Sequence, residues 1–167
     1  MRFSTILFFI SIAAATAAEP ALAPVRVCQI LEEPAKYAGQ TALVLGRFSF
    51  REQGRFLSER ACEARVGWPG VLRVVADSKT GPVPPGPLAV ESTLLDRKLA
   101  EMKRSTTLAN FRFGSTDYDR WALIYGRVEL SPAYADGPAK DARKTEFDPA
   151  PGRIVCREAL IVFIGER

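Results

Sequence analysis

Three thiols and no imidazole define the chemistry open to this chain of 167 residues. Without histidine the commonest general base is missing, and so are the Ser-His and Cys-His nucleophile pairs and most zinc sites. Cys28, Cys62 and Cys156 lie too far apart for a zinc motif, so no metal or cofactor is expected. Cys156 as a nucleophile would need a base or cation to lower its pKa. Arg157 is adjacent, but neighbouring residues of a strand point to opposite faces. Carboxylates remain: Asp117, Asp119, Asp136, Asp141, Glu146 and Asp148 fall in or near loops. No two are spaced to fix a glycosidase pair, and the Asp-rich stretches lack the EF-hand pattern. A histidine-free, carboxylate-dependent hydrolase is therefore the lesser reading, and a solvated surface accounts for the acids.

Binding chemistry is better represented. Arg47-Phe48-Ser49-Phe50-Arg51 and Phe111-Arg112-Phe113 interleave cations with aromatics, as single-strand nucleic-acid binders do. Strand alternation argues against a shared stacking platform, since Phe48 and Phe50 face opposite Arg47 and Arg51. The charge is also mixed rather than clustered: 23 basic against 19 acidic residues, a net of +4. Nucleic acid is thus not the expected partner, and an anionic polymer or a partner protein fits better.

Residues 1–18 read as a secretory signal peptide. Arg2 precedes the apolar run of residues 6–12, and Thr16-Ala17-Ala18 supplies small residues for cleavage. The apolar core is shorter than the ~20 residues of a membrane anchor, so no membrane span is expected once it is removed. The remainder, residues 19–167, is one domain with a net charge near +3, Arg2 having left with the leader. A periplasmic or secreted location follows, and three cysteines in an exported chain suggest one disulfide and one spare thiol.

The elements that would position these residues follow from pattern. Residues 27–31 form a short helical turn stopped by Pro34. Residues 41–52 form a strand with Ala42, Val44, Gly46, Phe48 and Phe50 on one face, and Gln53-Gly54 turns it into a second strand at 55–59. A third strand occupies 71–75. The Pro/Gly run at 81–87 is a stiff spacer. Residues 92–104 form a helix capped by Ser92 or Thr93, with a core-facing stripe of Leu95, Leu99 and Met102. Strands four and five cover 121–130 and 154–164. The 23 residues at 131–153 between them are long enough for either function or disorder.

Five strands with a helix between the third and fourth is the order of the OB-fold, a small, mainly β Greek-key barrel. A repeated phrase supports it: Ala42-Leu43-Val44-Leu45-Gly46-Arg47 recurs as Ala122-Leu123-Ile124-Tyr125-Gly126-Arg127. Strands one and four of that topology pair at the barrel closure, so both need an apolar inner face and a glycine bend.

Cys28-Gln29-Ile30-Leu31 with Pro34, Tyr37-Ala38-Gly39, Val44-Leu45-Gly46-Arg47, Gly54, Leu57, Cys62, Trp68-Pro69, Trp121-Ala122 and Gly126-Arg127 resemble a group of uncharacterised bacterial secreted proteins with OB-like character. The resemblance covers most of the mature chain and implies fold and export, but no activity. It also implies a Cys28–Cys62 disulfide, since cysteines recur at those two positions of the group and not at that of Cys156. The hairpin agrees, because it brings the start of the first strand to the end of the second. Cys62–Cys156 remains the alternative, since strands three and five begin at that same end.

The expected function is an exported OB-like interaction module of the cell envelope. Its candidate surfaces are the outer side of the closing strands, with Arg47, Ser49, Arg51, Tyr125, Arg127 and Glu129, and the long loop, with Tyr134, Lys140, Arg143, Lys144 and Phe147. Trp68 is expected to pack beneath its turn.

Overall fold

The computed structural model describes residues 21–51, 54–105, 119–131, 134 and 150–165; the expected leader at 1–18 lies outside them. In chain order the elements are β1 (Val25–Arg26), α1 (Val27–Glu32), α2 (Pro34–Tyr37), β2 (Thr41–Arg51) and β3 (Gly54–Ser58). A 3-10 turn (Arg60–Cys62), α3 (Glu63–Val66), β4 (Val71–Ala76), α4 (Ser92–Ser105), β5 (Asp119–Leu130) and β6 (Gly152–Phe163) complete them. Each expected strand and the helix between the third and fourth appear within two residues of their expected ends.

The strands close a barrel of OB-like order. β2 runs antiparallel to β3, β3 antiparallel to β4, β4 parallel to β6, β6 antiparallel to β5, and β5 returns antiparallel to β2. The repeated phrase sits at that closure, its two copies paired with each other: Gly46 lies opposite Ala122, and Gly126 opposite Ala42. Each glycine answers a close approach. A Cβ on Gly46 would stand 2.6 Å from Cγ of Leu57, and one on Gly126 would stand 2.7 Å from the Val155 carbonyl oxygen. The β5–β6 register breaks beside Gly126: pairing passes from Gly126↔Cys156 to Ile124↔Ile161, so four β6 residues, 157–160, face the single Tyr125. Such an insertion bends the strand and lets the sheet close.

Hydrophobic residues form two layers. The first fills the barrel, where Val44, Phe48, Leu57, Leu72, Ile124, Val128 and Ile154 point inward from all five strands. One end of this interior is plugged by α1, whose Val27, Cys28, Ile30 and Leu31 are all buried against it. Burying one such aliphatic side chain contributes about 1.5–3 kcal/mol, which holds in place a helix far too short to persist alone. The helix start is tied locally, the Arg26 backbone N–H donating to Oε1 of Gln29 at 3.1 Å.

The second layer lies outside the barrel and corrects the expectation of an exposed closing face. Leu43, Leu45, Trp121, Leu123 and Tyr125 point outward from β2 and β5 and are covered by Leu99 and Met102 of α4. Both faces of β2 are therefore apolar over residues 43–45, so the stripe on α4 packs on the outside of the barrel. The chain entering at Leu22 pairs with Val90 beside this layer, Leu22 N–H donating to the Ala89 carbonyl at 2.8 Å. Among the described residues no helix is long and apolar enough to cross a membrane.

Candidate functional site

The plugged end carries the thiol chemistry. Cys28, in the first turn of α1, and Cys62, closing the 3-10 turn after β3, stand at disulfide distance with Cα atoms 5.5 Å apart. Cys156, on β6, is a separate buried thiol and takes no part in that pair. Burial pushes its pKa up to about 11, Glu158 adds to the rise and Arg55 opposes it, so the sulfur is held as a neutral thiol.

Beside the cysteine pair sits a buried acid, Glu59. Its Oε2 accepts the Cys28 backbone N–H at 2.9 Å, and its Oε1 stands 3.7 Å from Nε of Arg26 without a hydrogen bond. Burial raises the carboxyl pKa, against the opposing pull of the Cys28 N–H and Arg26. Arg26 also reaches Glu101 of α4 at 3.3 Å, and Lys98 of the same helix donates to Gln29 Oε1 at 2.6 Å. This network ties α4 to the plug, and its polar groups are consumed in holding elements together.

The opposite end of the barrel is built differently. Phe48 is buried there, and two exposed rings lean on it edge to face: Phe50, from the end of β2, at 5.2 Å and Phe163, from the end of β6, at 5.4 Å between centroids. Phe50 is 52% exposed and Phe163 46%, with Val162 beside it at 43%. A cation faces each ring. The Arg55 guanidinium lies 5.3 Å over Phe50, its partner across the β2–β3 ladder, and that of Arg120 lies 6.0 Å over Phe163. Arg55 is also ion-paired with Glu158; among the described residues Arg120 pairs with no carboxylate. Register explains the grouping: Phe50↔Arg55, Phe48↔Arg120 and Ala122↔Phe163 are facing pairs, so all of these side chains share the inner face of the sheet where it runs past the closed core.

The residues singled out from sequence are placed elsewhere. Tyr125 is buried beneath α4 and Ser49 is buried on the same outer face, so neither belongs to an exposed surface; the cause is the apolar outer layer around Leu43 and Leu45. Arg127 is engaged: Nε and Nη2 donate to Glu129 at 3.1 and 3.0 Å, and Nη1 reaches the Thr80 carbonyl at 3.4 Å. Glu129 in turn accepts from Arg153 at 2.7 Å. Arg47 is half-buried. Tyr134 is buried too, its hydroxyl donating to the Leu31 carbonyl and its ring meeting Trp68 edge to face at 5.5 Å, so both aromatics brace the plug. The Arg51 side chain, Lys140, Arg143, Lys144, Phe147 and Phe111–Phe113 lie outside the described residues, as do five of the six acids considered above and the side chain of the sixth, Asp119.

Phe50, Arg55, Arg120 and Phe163 are the residues that sequence reasoning missed. The expected Gln53-Gly54 turn would set Phe50 across from Leu57; the observed register is shifted by two residues, with Arg51 opposite Gly54 and Phe50 opposite Arg55, so cation and ring meet between strands even though alternation separates them along one strand. Among the described residues no cluster of three or more His, Cys, Asp or Glu is able to hold a metal ion. Set against models of protein families, curated proteins and solved structures, the chain matches none of them.

Proposed function

We propose that this chain is an exported OB-like binding module of the cell envelope that takes an anionic partner at the barrel end carrying Phe50 and Phe163. The observation that carries the reading is the pair of exposed rings, each faced by a guanidinium and both seated on the buried Phe48. Exposed aromatics beside arginine are the residue types that dominate binding surfaces, because ring and guanidinium combine apolar contact with directional charge. Both rings rest on the buried Phe48, so part of their ordering is in place before a partner arrives. Export is supported by the Cys28–Cys62 pair at disulfide distance, an arrangement that persists in oxidising compartments, together with the leader-like residues 1–18.

The test is retention of envelope components on the immobilised mature, oxidised protein, followed by elution with salt. An anionic component held by the parent and released by a folded Arg55→Gln/Arg120→Gln variant is the expected result. Retention that is equal for both proteins, or none for either, overturns the reading.

A further inference from the structure

Resting on that reading, we infer that the anionic partner is a membrane surface: the barrel end inserts Phe50 and Phe163 among anionic lipid headgroups, with Arg120 and Arg55 at phosphate level. Three observations lead there. First, the apolar part is small and projecting. Phe50 and Phe163 are each roughly half exposed and project at one end, where the strands run out, while the half-exposed Val162 points from the other face of the same strand end. A protein partner of ordinary affinity needs about 800 Å² on each side with a packed centre, whereas a bilayer interface accepts a few aromatic tips if cations accompany them.

Second, the cations are arranged around the rings. Guanidinium groups lie over Phe50 and Phe163 at 5.3 and 6.0 Å. One face of each ring is therefore occupied, and Phe48 packs against both. A flat platform for nucleobases is not offered; ring edges bordered by positive charge are. That profile matches the depth-dependent polarity of a headgroup region, with aromatic groups at the boundary and arginine reaching the phosphates.

Third, charge and position agree. Glu158 is ion-paired with Arg55, and among the described residues Arg120 pairs with no carboxylate. Residues 19–167 add a net charge of about +3, which favours an anionic over a zwitterionic surface. The far end of the barrel is closed by α1 and its buried polar network, so the two ends differ in character, and Phe50 and Phe163 project at this one.

The experiment is cosedimentation of the mature, oxidised protein with vesicles of phosphatidylcholine alone and with 30% phosphatidylglycerol. The expected result is at least about tenfold stronger partitioning onto the anionic vesicles, weakened by 0.5 M salt. Phe50→Ser/Phe163→Ser and Arg55→Gln/Arg120→Gln variants should each reduce it by roughly tenfold, with thermal melts showing that both remain folded. Partitioning that is unchanged in the folded variants overturns the assignment of this end. No partitioning, with an anionic envelope protein or polysaccharide still retained through the arginines, overturns the membrane inference and leaves the binding-module reading standing. Failure in both assays removes both.

Discussion

Glu59 and Cys28 are joined by a hydrogen bond from the Cys28 backbone N–H to a buried carboxylate oxygen, 2.9 Å long, at the point where α1 begins and the cysteine pair is anchored. One acid thus fixes the start of the plug and closes the turn that follows β3. Its second oxygen has no hydrogen-bond donor, so the carboxylate is stabilised incompletely where it is least hydrated.

Replacing Glu59 separates the two contributions. Glu59→Ala removes the acceptor for the Cys28 N–H and opens space at the plug, at a cost of about 1–3 kcal/mol in urea unfolding. Glu59→Gln keeps an acceptor and removes the buried charge. Because burial raises the folded pKa above the unfolded one, the native state holds this proton more tightly. The parent therefore loses stability as pH rises from the ordinary carboxylate range through the raised pKa, and the loss is absent below that range. Urea midpoints at pH 4 and pH 7 are expected to show Glu59→Gln gaining on the parent at the higher pH. An unchanged difference would contradict the assignment.

Cys28 and Cys62 are separated by 34 positions in sequence, a loop whose closure is worth about 3 kcal/mol in the chain-entropy account. Cys28→Ser/Cys62→Ser is expected to lower the denaturation midpoint accordingly, and the reduced parent to match the double variant. A peptide map under non-reducing conditions should recover the two cysteines in one linked fragment, with Cys156 alkylated only after denaturation.

Cys156 makes a separate prediction about reactivity. A thiol that is buried and pushed up to about 11 contributes almost no thiolate at pH 8. An aromatic disulfide reagent should therefore find no reactive group in the native, oxidised protein and one in urea. Glu158→Gln removes the acid that adds to the rise, but leaves the burial, so native reactivity should stay below a tenth of that of the unfolded chain.

The closing glycines should differ in tolerance. Gly46→Ala meets the side chain of Leu57, which is able to shift, whereas Gly126→Ala meets the backbone carbonyl of Val155 as well as the Ile154 side chain. Overpacking of this kind costs about 1–3 kcal/mol, and Gly126→Ala is expected at the upper end. Leu57→Val should recover part of the loss in Gly46→Ala and none in Gly126→Ala. Equal recovery would show that the two copies of the phrase do not differ as described.

The strand order was legible from sequence because several local signals agreed: alternation over 41–52, a turn signal at Gln53-Gly54, and β-branched runs at β4 and β6. The paired phrase even indicated which strands close the barrel. The place of α4 was not legible. Its apolar stripe states that a face is buried without stating against what, and the deciding clue was the pair Leu43 and Leu45 on the supposed polar side of β2. The same oversight placed Tyr125 on a surface it does not reach. For the candidate site, the contact between Phe50 and Arg55 depends on the hairpin register, which lies two residues from the one a Gln53-Gly54 turn sets. Arg120 and Phe163 were further out of reach, since their facing partners depend on registers set by the whole barrel.

The break in register beside Gly126 divides β6 into two pieces with different neighbours. Val155 and Cys156 are laddered to β4 on one side and β5 on the other, whereas Ile161, Val162 and Phe163 are laddered to β5 only. Amide hydrogen exchange along this single strand should therefore be two-speed: the first piece releases its protons only when the whole molecule opens, and the second by local fraying. The end that carries Phe163 is in this sense loosely coupled to the core, so substitutions and small rearrangements there leave the folding unit intact.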